Sequence, residues 1–327
     1  MKEPANTTVG FIGLGIMGAA MASNLQKAGF RLVVNDVRRE AAEPHLKAGA
    51  TWADTPRAVT EQSDVVVSCL PNLGAIETVA LGPDGVLAAI KPDGAFFEMS
   101  TSTPELVQRL HSAFGERGAH FLDAPISGGA KGAQRGRLAI WVGGDKASYQ
   151  RFEPVLRAMG DHPVHVGAAG AGLVTKLVHN CTSQATQAAI AEVFVLGVKA
   201  GAEPLALWEA IRQGSIGRRR TFDGLVDEFL PSRFDPPNAA LRIIQKDMMI
   251  ATELARDLGV PMRIANLALA DIQEAMNRGW SERDCRSVML LPQERAGVQI
   301  KVDPEAIQDV LRRDPPAPSD SKRGTDK

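Results

Sequence analysis

The 327 residues are 44% hydrophobic and 23% charged, with a formal net charge of −1. That balance excludes a disordered chain and gives no global field to draw in nucleic acid or an anionic membrane. No apolar run reaches the ~18 residues of a spanning helix, and the opening MKEPANTT lacks the apolar core of a leader. The length suits about two domains of ~150 residues. Cys69, Cys181 and Cys285 are odd in number and far apart. They suit a reducing compartment and no metal centre, so the cytoplasm is the expected location.

In chain order, the first half alternates β-rich runs with helical spacing. The strand-like runs are TVGFIG (8–13), RLVVND (31–36), DVVVSCL (64–70), GAFFEMS (94–100) and HFLDAP (120–125), with RLAIWVGG (137–144) and PVHVG (163–167) as extensions. Helical spacing falls between them, over 19–28, 41–48 and 104–117. The strands are near-continuous apolar runs, which predicts burial on both faces of a parallel sheet layered between helices. From Gly167 to about Gly201 the chain has no proline and many Ala, Leu and Val residues. That predicts one helix of ~30 residues, able to link two domains. Further helices follow to about Gly297, broken at Pro204, Pro231, Pro236–Pro237 and Pro261. The polar end from Pro315, PPAPSDSKRGTDK, has the composition of a disordered tail. The expected fold is a Rossmann-type doubly wound α/β domain over 1–167. An all-α domain over 168–300, entered through the long helix, and a tail over 301–327 follow.

The first strand runs into Gly13-Leu14-Gly15-Ile16-Met17-Gly18, the spacing G-x-G-x-x-G. Alone it is weak evidence. Here a strand precedes it, a helix follows, and a second strand ends in Asp36, 18 residues after Gly18. Gly13 permits the tight turn, Gly15 lets the backbone approach a pyrophosphate, and Gly18 permits close packing of the helix. The helix N-terminus then offers unpaired N–H groups to the phosphates. A carboxylate at Asp36 accepts from a ribose hydroxyl and repels a 2′-phosphate, which selects NAD over NADP. Arg38 and Arg39, just beyond, partly offset that repulsion.

Ligands of open α/β sheets bind outside the carboxyl ends of the strands. Leu70-Pro71, Ser100-Thr101 and the loop DAPISGGAKGAQRG (123–136) fall there. Ser127-Gly128-Gly129 would present a hydroxyl and bare backbone N–H groups to a carboxylate. On the long helix, Lys176 and Asn180 stand at i and i+4, and Ser183, Gln184 and Gln187 continue the polar stripe. Leu177, Val178 and Cys181 fall on the more apolar sides. Lys176 is either a solvated lysine or a general acid/base whose pKa is lowered by burial and a positive nicotinamide ring.

These stretches resemble the β-hydroxyacid dehydrogenases, the group of 3-hydroxyisobutyrate dehydrogenase, tartronate semialdehyde reductase and 6-phosphogluconate dehydrogenase. The matching segments are GFIGLGIMGAAMASNL (10–25), DVVVSCLP (64–71), STSTP (100–104), FLDAPISGGAKGAQRGRLAIWVGG (121–144), GAGLVTKLVHN (170–180) and KD (246–247). They follow the family's order and span about residues 9–290. The resemblance implies that Lys176 is the catalytic lysine, Asn180 the active-site asparagine, and Ser127, Gly128 and Gly129 the substrate-carboxylate loop. It also implies that Leu70, Pro71 and Thr101 line the cofactor and that Lys246 closes over it. Asp36 falls where NAD-preferring members keep an acid. The family's helical domain commonly assembles dimers or tetramers.

One segment departs from the family pattern. GSIGRRRTFDG (214–224) holds Arg218, Arg219 and Arg220 where relatives usually show one arginine. Arg219 or Arg220 is expected either to clamp an additional anionic group of the substrate or to be an exposed basic turn. The leading expectation is therefore an NAD-dependent dehydrogenase of a small β-hydroxy acid. An NADPH-linked semialdehyde or imine reductase is a second reading, opposed by Asp36 and, for the imine branch, by Lys176. A non-catalytic binding module is the third; relatives of that kind have lost the lysine, whereas Lys176, Ser127-Gly128-Gly129 and Asn180 are all present here. No metal, nucleic acid or membrane is expected to enter the leading reading.

Overall fold

The computed structural model describes residues 6–199, 201–213, 224–257 and 262–313. The chain divides into two compact units, Met1–His179 and Asn180–Lys327. In the first, nine strands form one sheet: β1 (Thr8–Ile12), β2 (Arg31–Asn35), β3 (Thr51–Trp52), β4 (Val65–Ser68), β5 (Ala95–Glu98), β6 (His120–Asp123), β7 (Ile126–Ser127), β8 (Ala139–Gly143) and β9 (His162–Gly167). The order is β3-β2-β1-β4-β5-β6-β8-β7, with β9 also paired to β8. Pairing is parallel from β3 through β6. The chain reverses sides between β3 and β4, which places a crevice at the carboxyl ends of β1 and β4.

Every residue of β4 and β5 is buried, as their unbroken apolar character requires. Alternate side chains serve opposite faces. Val65, Val67 and Phe97 join Met21, Leu25, Phe152 and Leu156 in the core on one face. On the other, Phe96 stacks on Phe114 at 5.4 Å and meets Phe121 edge-on at 5.8 Å.

The helices of this unit are α1 (Ile16–Lys27), α2 (Glu43–Lys47), α3 (Pro56–Glu61), α4 (Leu73–Leu81), α5 (Val86–Ala89), α6 (Pro104–Glu116), α7 (Gly129–Gln134) and α8 (Lys146–Met159). α1 starts three residues before the expected Ala19, because its first turn is the glycine motif itself. β3 and β7 have two residues each, too few to show a period. α3, α4 and α8 are started by side-chain caps; α3 and α4 lack a clear apolar stripe, whereas α8 buries Tyr149, Phe152, Val155, Leu156 and Met159 along one. Thr55, Asn72 and Asp145 accept from the backbone N–H groups of Ala58, Ala75 and Ser148 at 3.0, 2.9 and 2.7 Å.

The sheet is not parallel throughout. β8 runs antiparallel to β6 and β7, and β9 runs parallel to β8. The short β7–β8 connection leaves no room for the crossover a parallel neighbour needs.

The long helix is α9 (Ala171–Lys199), 29 residues. Its start is seated on the sheet: Asp123 at the end of β6 accepts from Gly170 and Leu173 N–H through its two carboxylate oxygens, each at 2.7 Å. Gly143 and Gly172 crowd that carboxylate. A Cβ on either would lie 2.5 or 2.8 Å from an Asp123 oxygen. Burial holds the Asp123 carboxyl above the usual range while these N–H groups pull it back.

Among the described residues the second unit is helical, with one isolated bridge between Ala240 and Asp284. After the rest of α9 come α10 (Pro204–Gln213), α11 (Leu241–Asp257), α12 (Arg263–Asn277), α13 (Leu290–Ala296) and α14 (Pro304–Arg313). Phe194 meets Phe229 edge-on at 5.8 Å, and Trp208, Met248, Ile272 and Leu291 are also buried. α10 starts at Pro204, where the N–H that proline lacks is not needed. Pro261 and the stretch 314–327 fall outside the described residues. α14 lies in the segment expected to be a tail. It buries Ile307 and Val310, a stripe too short to stand out beside the polar residues after it. Val178, expected on an apolar side of α9, is 60% exposed.

Candidate active site

The G-x-G-x-x-G residues make the turn from β1 into α1. Gly13 has φ 93°, a region L side chains rarely enter. A Cβ on it would lie 2.3 Å from the Cys69 carbonyl, and one on Gly18 would lie 1.9 Å from the Gly13 carbonyl. Gly13 is therefore demanded by the neighbouring turn after β4, and Gly18 by a contact inside its own turn. Gly15 differs: a Cβ there would meet nothing within 4 Å. It is the N-cap of α1, with no side-chain cap and no acid in the first turn. Bare N–H groups face open space, so the turn fits a pyrophosphate. Ile16 is 80% exposed beside it, while Met17 is half-buried and Leu14 buried.

Asp36 closes this turn from the end of β2. Its Oδ2 accepts from Leu14 N–H at 2.7 Å and its Oδ1 from Arg38 N–H at 2.8 Å. The Arg38 side chain stands 3.6 Å from Oδ1. Arg39 turns instead to Asp54 at 3.7 Å and covers the Trp52 ring. Val37, next to Asp36, is fully exposed. Nothing in its residue type marked it, yet an apolar side chain at the mouth of a nucleotide crevice suits an adenine face.

The other two loops are tied together. Leu70 N–H donates to Ser100 Oγ at 2.7 Å, so the turn holding Leu70 and Pro71 leans on the residue before Thr101. Ser100 N–H in turn donates to Glu98 at 2.7 Å, and the Ser68 hydroxyl donates to the same carboxylate. Glu98 is buried and has no place in the sequence expectations.

Lys176 sits in the second turn of α9. Its Nζ donates to the Ile126 carbonyl at 2.9 Å, beside Ser127. Gly128 and Gly129, with φ 134° and 61°, curl the chain into α7 and lie exposed. Three residues beyond Lys176, His179 approaches Ser127 Oγ at 3.5 Å and packs on the Trp141 ring at 5.1 Å. The lysine and the Ser-Gly-Gly loop are thus neighbours in the first unit, 50 residues apart in sequence.

In the second unit, Asn180 is buried and its Nδ2 donates to Asp247 Oδ2 at 2.6 Å. Lys246 Nζ stands 3.3 Å from the other Asp247 oxygen. Asp247, 2% exposed, is what the sequence reading passed over. The pair KD was legible, but only the lysine was given a role. Arg218, Arg219 and Arg220 lie outside the described residues. Among the described residues there is no group of three His, Cys, Asp or Glu side chains able to hold a metal, and no helix long and apolar enough to cross a membrane.

Two family models cover the chain. The NAD binding domain of 6-phosphogluconate dehydrogenase matches residues 8–170, and the NAD-binding domain of NADP-dependent 3-hydroxyisobutyrate dehydrogenase matches residues 170–291. The chain is 36% identical to the NAD-dependent L-serine dehydrogenase of Pseudomonas aeruginosa, over 86% of its own length and 97% of the relative's. It is 33% identical to the 2-(hydroxymethyl)glutarate dehydrogenase of Eubacterium barkeri, over 89% and 97%. Among solved structures, the 3-hydroxyisobutyrate dehydrogenase of Mycobacterium tuberculosis with L-serine matches at a TM-score of 0.78 and 30% identity, covering 87% of this chain and 98% of that one. With this fold, this glycine turn and these matches along nearly its whole length, the chain belongs to the β-hydroxyacid dehydrogenase family of NAD(P)-dependent oxidoreductases acting on CH–OH donors.

Proposed function

We propose that this protein interconverts a small β-hydroxy acid of the 3-hydroxyisobutyrate type and its aldehyde acid, with NAD as cofactor and Lys176 as general acid/base. The observation that carries the reading is the Lys176 ammonium, 2.9 Å from the Ile126 carbonyl and beside the Ser127-Gly128-Gly129 loop. An acid held by its carboxylate on that loop brings its β-hydroxyl within reach of the amine. Oxidation requires the hydroxyl proton to leave as hydride departs, and a positioned base contributes about 10²–10⁴-fold. When bound, the nicotinamide accepts or returns the hydride.

The remaining roles follow from the same geometry. Ser127 Oγ and the backbone of Gly128 and Gly129 hold the carboxylate. Asn180, fixed by Asp247, orients the reacting oxygen. The turn of Gly13, Leu14, Gly15, Ile16, Met17 and Gly18 holds the pyrophosphate. Leu70, Pro71 and Thr101 line the nicotinamide end, and Lys246 closes over it. Asp36 supports NAD because its carboxylate can still accept from ribose hydroxyls and opposes a 2′-phosphate. In this reading the first domain binds the cofactor, and the helical domain serves substrate binding and the contacts of a homodimer or homotetramer. Exposed Ile243 and Met249 on α11, with Ile264 and Leu267 on α12, support such contacts. Arg219 or Arg220 would receive a second anionic group, as a diacid such as 2-(hydroxymethyl)glutarate carries.

The test is a panel of β-hydroxy acids, L-serine and hydroxy diacids included, assayed with NAD and with NADP. Turnover favouring NAD is expected. Lys176→Ala is expected to lower kcat by about 10²-fold or more while leaving the NAD dissociation constant unchanged. Native turnover in that variant ends the assignment. Unchanged Michaelis constants in both Arg219→Ala and Arg220→Ala end the diacid clause alone.

A further inference from the structure

Beneath the crevice lies a buried carboxylate to which the reaction above gives no part. Glu98 ends β5, is 1% exposed, and shares a register row with Ser68 on β4 and Asp123 on β6. In-register neighbours on parallel strands point to one face of the sheet, and Glu98 uses that placement. One oxygen accepts from the Ser68 hydroxyl, and the other from Ser100 N–H at 2.7 Å. The Ser100 side chain also favours the charged carboxylate. Ser100 Oγ in turn accepts from Leu70 N–H at 2.7 Å.

The chain of contacts reaches the glycine turn. Cys69 N–H donates to the Ile12 carbonyl at 3.0 Å, and the Cys69 carbonyl is what leaves Gly13 no room for a side chain. Ser68 and Leu70 flank Cys69, and both are fixed by the Glu98–Ser100 network. We propose that Glu98 is a positioning residue for the cofactor crevice: through Ser68 and Ser100 its carboxylate sets the 68–71 turn against the dinucleotide-binding glycines. The inference rests on the reading that Leu70 and Pro71 line the cofactor.

The ionised form is the one that organises the turn, because only a carboxylate accepts on both oxygens at once. A protonated Glu98 becomes a donor on one side and competes for the same serine oxygens. Burial pushes its pKa up to about 7, so the network changes state near neutral pH. The titratable groups facing it are Cys69, whose thiol burial pushes up to about 12, and Asp123, whose oxygens are taken by the start of α9. The Cys69 thiol therefore keeps its proton across neutrality, while Asp123 is a second buried carboxyl held above its usual range.

The experiment is the NAD dissociation constant, by calorimetry, from about pH 6 to about pH 8.5 for the wild type, Glu98→Gln and Ser100→Ala. Wild-type affinity is expected to rise about tenfold across that range, one charge-assisted hydrogen bond's worth. Glu98→Gln should stay flat at the weak, acid-side value, and Ser100→Ala should be about tenfold weaker than wild type at the alkaline end. Wild-type affinity in Glu98→Gln at the alkaline end, or a retained pH profile, overturns the proposal. Should that variant fail to fold, Ser100→Ala decides alone, and wild-type affinity in it is fatal. A purely structural Glu98 would instead lower the thermal midpoint of the cofactor-free variant at alkaline pH, where this proposal expects none lower than wild type. Absence of saturable binding of NAD or NADP by the wild type would refute the cofactor reading itself, whatever the role of Glu98.

Discussion

At the scale of single residues, the crevice is built from groups that do two jobs. Asp36 steadies the glycine turn through Leu14 N–H and keeps acceptor capacity for a ribose. Asp36→Asn is therefore expected to weaken NAD about tenfold and to erase most of the discrimination against NADP, read from both dissociation constants. Glu98 carries a second prediction, on stability. Its folded pKa of about 7 lies above the ordinary 4.5, so the folded state prefers the protonated form. Its contribution is most favourable below about 4.5, declines as pH rises to about 7, and is constant above, a loss on the order of 3 kcal/mol. Glu98→Gln removes that loss, so its stability advantage in urea melts should grow between those two pH values. The glycine turn and Asp36 were legible because backbone geometry dictates residue type there. Glu98 was not, since a strand-end glutamate reads as solvated until the neighbouring strands show it buried. Asp247 was hidden for the same reason, its asparagine partner being 67 residues away.

At the scale of elements, apolar runs announced β1, β2, β4, β5 and β6, and the proline-free stretch announced α9. What stayed hidden were the two-residue strands and the short capped helices α3 and α4, where a single threonine or asparagine does what a periodic stripe does elsewhere. The direction of β8 was hidden too, since an apolar run has no arrow. The seat of α9 is the element on which the lysine depends. Asp123→Asn replaces one accepting oxygen by a donor, leaving Gly170 or Leu173 N–H unpaired, and should cost about 1–3 kcal/mol in a urea titration. Gly172→Ala should do similar damage, because its methyl group would arrive where the carboxylate stands. Both variants should lose kcat more than NAD affinity, since Lys176 follows one turn later on the same helix.

At the scale of the molecule, a cofactor that binds only the folded chain stabilises it by about 2.7 kcal/mol at a concentration 100 times its dissociation constant. A thermal shift larger with NAD than with equal NADP is the expected whole-protein signature, and equal shifts would remove the case for Asp36 as selector. The fold class was legible from the alternation of strands and helices followed by a half that opens on a long proline-free helical stretch. The place where the halves part was less so, because α9 continues unbroken through Asn180 and its first turns pack with the sheet. A fragment severed at residue 167, where the strand pattern stops, would therefore be a poor cofactor domain. It would lose the N–H groups that balance the Asp123 charge, along with the Lys176 amine. One extended to residue 179 keeps both, and should be the shorter piece worth expressing.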